Sequence, residues 1–262
     1  MDLRELRVTT PGAGRRHPWE RARLEVVSRL LRAAVTGTPK TILDLGCGDA
    51  YVVEELAGRY PSARCVGVDT ELTPDELARL RQGLSSRAVG LYQTLRQAVA
   101  ELDAPADVVL LLDVIEHVED DVAFLEQLRR TGTAGRNTLV LVTVPAHQRL
   151  FSSHDVFLRH HRRYDQRTLL ERLARAGFRI EQHGQFFLLP LAIRAIQAAL
   201  ERWLGAAPEH VLGAAGWKGG DGLTRLATSA LVLDFAGSQL AQRLGIRLPG
   251  LSSYALCRTS AS

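Results

Sequence analysis

Apolar residues along the chain fall into two kinds of run that alternate. Short blocks at 41–45, 63–69, 106–113, 138–144, 178–185 and 253–258, with a weaker one at 88–92, read as strands, and the clearest of them are continuous apolar runs. Between them, apolar positions recur every three or four residues, as helices require. The clearest such stretch is 18–35, with Leu24, Val27, Leu30 and Leu31 on one face; 51–57, 73–82, 119–130 and 166–176 follow. Boundary chemistry agrees. Gly37 and Pro39 close the first helix, Thr73 and Pro74 open another with Asp75 and Glu76 in its first turn, and Gly177 caps 166–176. Strands that are continuously apolar and separated by helices predict an α/β fold, a seven-stranded and mostly parallel sheet with helices on both faces.

One stretch breaks this rhythm. Residues 186–252 separate the sixth and seventh strands, far more chain than a hairpin needs. Within it, 186–204 is apolar with helical spacing through Leu189, Ile193, Ile196, Leu200 and Leu204. A loop at 217–222 leads to a second helix at 224–244, with Leu226, Leu233 and Leu240 on one side. The organisation expected is a flexible lead at 1–16, a core at 17–185 completed by 253–258, and a helical insertion at 186–252. The insertion has three readings: a lid over an apolar substrate, a homodimer face, or a peripheral contact with a membrane surface.

The 262 residues are 46% hydrophobic and 24% charged, enough for one sizeable core. Net charge is +4, and Lys40 and Lys218 are the only lysines, so the positive charge is arginine. Arginine forks suit carboxylates and phosphates. Because acids balance the arginines along the chain, no nucleic-acid partner is expected. Cys47, Cys65 and Cys257 lie far apart and show neither a disulfide framework nor metal spacing. With no apolar signal core at 1–7 and no stretch of membrane-spanning length, the expectation is a cytoplasmic protein with no integral span.

Candidate chemistry lies just after strands, where open parallel sheets bind ligands. The segment TILDLGCGDA at 41–50 ends a strand in Asp44 and turns through Gly46 and Gly48 into a helix start. Glycine lets such a turn approach a ligand closely, and the helix offers free N–H groups. The dinucleotide spacing G-x-G-x-x-G would put its last glycine at Tyr51, which favours a different nucleoside cofactor over NAD. Asp69 ends the second strand 21 residues after Gly48, where an acid accepts hydrogen bonds from ribose hydroxyls, with Thr70 beside it. Asp113, Val114, Glu116 and His117 follow the fourth strand. After the fifth comes a polar loop containing His154, Asp155, His160, His161, Arg163 and Tyr164, a run without apolar periodicity.

These segments resemble class I S-adenosylmethionine methyltransferases. The turn resembles their D-x-G-x-G-x-G motif, with Ala50 standing where a third glycine is common, and Asp113 to His117 resembles the D-x-x-E-H segment of the small-molecule, ubiquinone-O-methyltransferase-like branch. The loop resembles a bacterial subgroup with V-P-A, then S-x-H-D, then H-x-R-R-Y; His17 to Arg23 loosely matches the same subgroup's H-x-W-x-x-R-R entry.

The resemblance implies a Rossmann-like sheet and S-adenosylmethionine as cofactor. It implies cofactor contacts at Trp19, Arg23 (or Arg21), Asp44, Gly46, Gly48, Asp69, Thr70, Asp113 and Val114. His154 with Asp155 is the candidate catalytic pair, a base beside an orienting acid. The expected substrate-binding set is His117, His161, Arg163 and Tyr164, and the expected acceptor is a small molecule (a natural product, quinone-like or lipid-linked) with oxygen or nitrogen favoured; the alternatives are a non-catalytic S-adenosylmethionine-binding partner protein or an RNA or protein methyltransferase. No metal is expected, since the histidines of the loop lack a matching ligand cluster.

Overall fold

The computed structural model describes residues 16–86, 88–204, 217 and 219–259, together with Leu3 and Arg7. Its strands are β1 Thr41–Leu45, β2 Arg64–Val68, β3 Val89–Tyr92, β4 Ala106–Leu112, β5 Ala134–Pro145, β6 Phe178–Phe186 and β7 Ser252–Thr259. The helices are α1 Pro18–Ala34, α2 Tyr51–Arg59, α3 Pro74–Gly83, α4 Leu95–Ala100, α5 Asp121–Arg130, α6 Ser153–Phe157, α7 Gln166–Arg175, α8 Leu188–Leu204 and α9 Asp221–Arg243.

The seven strands form one sheet in the order β3-β2-β1-β4-β5-β7-β6, in which β7 alone runs antiparallel to its neighbours. The order reverses between β1 and β4. At that switch point the helices leave on opposite faces and a crevice opens at the carboxyl ends of the strands. Leu45 lies beside both Val68 and Leu111, so the residues that follow β1, β2 and β4 share one edge. Strands read as continuously apolar are buried on both sides. Ile42, Leu110 and Leu141 pack into one cluster with α1 and α2, while Leu43, Val109, Leu111 and Val142 pack into the other with α5 and α7.

Local chemistry explains most boundaries. His17, Thr73 and Thr94 each close a capping box, with Glu20, Glu76 and Gln97 reaching back to the cap N–H. Two helices were not expected: α4, whose single turn is too short to show periodicity, and α6, which lies in the polar loop. β5 begins earlier than expected, because Gly135 and Asn137 interrupt the apolar pattern although the backbone already pairs with β4 at Ala134.

The lead expected to be flexible falls largely outside the described residues. The three described members of it are anchored: Leu3 is buried in the core, Arg7 forms a salt bridge to Glu76, and Arg16 pairs with Asp49 and Glu20. Between β6 and β7, α8 and α9 form the insertion. Leu188 N donates to Asp234 (2.8 Å), tying the two helices, and α9 packs along α1 and β6. Among the described residues no helix is long and apolar enough to cross a membrane.

Candidate active site

A cavity of about 660 Å³ opens at the carboxyl edge of the sheet. Its floor is the β1–α2 turn. Gly46 has φ +75°, and a Cβ there would sit 2.6 Å from Val114 Cγ2, so only glycine fits. Gly48 N donates to Asp69 Oδ2 (2.9 Å), and Glu71 N donates to Asp69 Oδ1 (2.9 Å), which fixes that carboxylate at the cavity wall. Ala50 caps α2 with φ 65° and ψ 5°, a left-handed conformation that explains why glycine is common at this position.

Asp44 lies below this turn, and the structure places it outside the cavity lining. It is 2% exposed, and its Oδ1 has no hydrogen-bond partner among the described residues. Burial pushes its carboxyl up to about 7, against the opposing pull of Arg23. The other expected cofactor residues, Trp19, Arg23, Gly46, Gly48, Asp69, Thr70, Asp113 and Val114, all line the cavity. Arg23 spans from α1 to the β4 end: it pairs with Asp113 Oδ2 (3.0 Å), bonds to Thr143 Oγ1 (3.3 Å) and lies over the Trp19 ring. Arg21, two residues away on the helix, is exposed, as a 100° step per residue requires. The glycine cradle, the Asp69 carboxylate and the Arg23 cation are the donor and acceptor set that a ribose and an amino-acid carboxylate need, so these residues fit an adenosyl cofactor.

The polar loop is organised differently from its sequence. Asp155 follows His154, but successive residues on the α6 turn do not face one another. Asp155 instead accepts from Ser152 N (3.0 Å) and Arg163 Nε (2.8 Å), and its Oδ1 lies 3.0 Å from His160 Nδ1. Burial pushes this acid up, yet the His160 hydrogen bond and the Arg163 charge outweigh it and hold the carboxyl at about 2. Asp155 is thus an orienting anion for His160 and not for His154. His154 also lines the cavity, stacked beside Phe157, and burial lowers its pKa despite Asp155.

Two expected substrate contacts are not brought to the cavity. Tyr164 is fully buried and its hydroxyl donates to Asp121 Oδ2 (2.6 Å), which also meets Arg162 and Arg172; this bolts the loop to the start of α5. His161 is exposed, and its N–H donates to Glu116 O (2.8 Å). His117 and Arg163 do line the cavity.

Two groups were named in the sequence without a role. Glu116 is 0% exposed, lines the cavity and has neither carboxylate oxygen hydrogen-bonded among the described residues. Burial, then the nearby Asp113, raises its pKa well above the ordinary carboxylate value. His160 stacks edge-on against His117 at 4.6 Å, and with Nδ1 held by Asp155 its Nε2 is the nitrogen left to the cavity. The D-x-x-E-H string was a signal for Glu116. No local signal pointed to His160, whose partner lies five residues back around a turn. Ligating atoms of Glu116, His117 and His160 lie within 4.8 Å of one another, the grouping among the described residues that could hold a cation. The roof comes from the insertion: Pro190, Ile193, Arg194 and Gln197 of α8 and Leu231 of α9 complete the lining.

Comparison with known proteins agrees with this architecture. A family model described as a methyltransferase domain matches residues 18–183. The chain is 37% identical over 100 residues to a ubiquinone biosynthesis O-methyltransferase of Pseudomonas paraeruginosa, covering 38% of this chain and 41% of that protein. It is 34% identical over 105 residues to the enzyme of the same name from Hahella chejuensis, covering 40% and 42%. The match therefore spans about two fifths of these relatives' length.

Among solved structures, a chain of the Haloferax volcanii complex between the Trm112 methyltransferase activator and a methyltransferase superposes with TM-score 0.55, at 15% identity, covering 93% of this chain and 92% of that one. The methyltransferase domain of bacterial CtHen1 gives 0.53 at 15% identity, covering 92% and 99%. Identities this low speak for the fold alone.

Proposed function

The chain belongs to the methyltransferase-domain family, and from that premise we propose that it methylates a hydroxyl of a small, largely apolar acceptor, using S-adenosylmethionine. The observation that carries this reading is His160, held by buried Asp155 and lining the cavity that Gly46, Gly48, Asp69 and Arg23 also line. The cofactor, when bound, supplies an electrophilic methyl group on a sulfonium that is its own leaving group. Asp69 and the glycine turn hold the ribose side, and Arg23 with Asp113 meets the amino-acid end. Asp44 supports the turn from below.

His160 accepts the acceptor's hydroxyl proton at Nε2, while Asp155 holds the ring by Nδ1 and stabilises the imidazolium that forms. Arg163 keeps Asp155 ionised. Ile193, Leu231 and Pro190 close over the acceptor and exclude water, so the insertion serves as the lid. The names of the Pseudomonas and Hahella relatives, O-methyltransferases, support oxygen as the acceptor atom.

A second reading is favoured by the Glu116, His117 and His160 grouping, in which a divalent cation held there acidifies the hydroxyl. Methyl transfer from isotope-labelled cofactor to a panel of phenols tests both. His160→Ala should lower kcat by about 10²–10⁴-fold and leave calorimetric cofactor affinity unchanged. An equal loss of binding, or a larger kcat loss in His154→Ala, would overturn the base assignment. Activity abolished by chelator and restored by a divalent ion would favour the second reading.

A further inference from the structure

The longest helix of the insertion has two faces that differ sharply. On one, Thr224, Phe235 and Ser238 of α9 are buried, Gln239 donates to Tyr254 Oη (2.8 Å) and Gln242 donates to His183 O (2.7 Å). That face is fully occupied by α1 and the sheet edge. The other carries Leu223, Leu226, Leu233, Leu240 and Leu244, which are 54–72% exposed. Exposed Ala230 and Gly237 fill the gaps between them. The row advances in alternating steps of three and four residues, the 3.5-residue period by which one helix lies along another. A helix already packed on one side has no use within its own subunit for a second apolar face.

We infer that this face binds a second copy of the chain, α9 lying antiparallel to its counterpart about a two-fold axis near Leu233. A two-fold contact must be self-complementary, and the row reads nearly the same from either end. Leu226 and Leu240 stand seven residues on each side of Leu233, with Leu223 and Leu244 beyond them. Antiparallel packing sets Leu226 against Leu240 and Leu233 against itself.

No charged side chain stands on the leucine row itself; exposed Asp221, Arg225 and Arg243 flank it. Small residues beside the row, Ser229 and Ala236, let the helices approach closely.

A lipid surface fits less well. A helix lying on a membrane needs a basic face turned to water, and here the face opposite the leucines is packed against protein. The helix is about 34 Å long and about 10 Å wide, a strip of roughly 350 Å² per copy against about 800 Å² in standard interfaces. The dimer is therefore concentration-dependent, not obligate.

Sedimentation velocity over a concentration series should show the mass rising toward twice that of the monomer. Leu233→Glu should stay monomeric with an unchanged melting temperature. Because the native cysteines are all buried, introduced ones report geometry. Leu233→Cys alone should cross-link under mild oxidation. Leu226→Cys alone should not, since its counterpart would lie about 21 Å away, but mixed with Leu240→Cys it should. A monomer at every concentration, a dimer that Leu233→Glu leaves intact, or Leu226→Cys linking to itself would overturn the proposal. So would a monomer whose binding to phosphatidylcholine vesicles depends on Leu233.

Discussion

Replacing Asp44 with asparagine should stabilise the cofactor-free protein, and only above acidic pH. Asp44 is 2% exposed, its Oδ1 has no partner among the described residues, and burial moves its carboxyl from the ordinary 3.8 to about 7. An acid with a raised folded-state value lends stability that is complete below the unfolded value. That stability is lost as pH rises through the folded one, so the window here runs from 3.8 to about 7. At about 1.4 kcal/mol per pH unit, the wild type loses roughly 4 kcal/mol across it relative to a neutral side chain. Asparagine keeps the shape and carries no charge, at a cost of about 1 kcal/mol for an imperfectly paired amide.

The assay is thermal and urea unfolding of both proteins at about pH 4 and about pH 8. The advantage of Asp44→Asn should be near zero or negative at the lower pH and should grow by roughly 3–4 kcal/mol at the higher. At about 2–4 °C per kcal/mol this is a gain near 10 °C. A difference that does not change between the two pH values would refute the assignment of a strained, desolvated acid beneath the glycine turn. The strain would then not be available for the bound cofactor to relieve.

Three further outcomes follow from the same geometry. Asp69→Ala removes the acceptor that Gly48 N and Glu71 N share and the acid facing the ribose, and should weaken cofactor affinity by about 10–100-fold; calorimetry returning the wild-type value would contradict it. Asp155→Asn leaves Arg163 buried without its anion and should cost about 3–5 kcal/mol at neutral pH. Because the folded Asp155 value lies near 2, its stabilisation is present above 3.8 and lost as pH falls through about 2, so the variant's acid limb should flatten there. Ala50→Gly relieves a left-handed alanine and should gain about 1 kcal/mol in urea unfolding, a loss being the contrary result.

Much of this protein is written locally. The central strands β1, β4 and β5 are near-continuous apolar runs because parallel strands there are covered on both faces, whereas the edge strand β6 is not. Several helices carry a side-chain cap in the adjacent few residues, so β1 at 41–45 and the box of Thr73 with Glu76 could be read directly. The turn through Gly46 and Gly48 was legible as a close-approach turn: both have positive φ, and a Cβ at Gly46 would meet Val114. What lay outside the sequence concerns partners and faces. Asp155 stands next to His154 in the chain, yet helical geometry turns it to His160 and Arg163. Tyr164 looks like a ligand contact in a polar loop, but an acid on a distant helix, Asp121, draws it into the core. The leucines of α9 shared a stripe by their spacing alone; that the stripe faces solvent was decided by α1 and β6 taking the opposite side. Periodicity determines which residues share a face, because the helix and strand repeats are fixed by backbone geometry. Which face is buried, and which charge meets which, depends on segments far apart in sequence, and only their packing decides it.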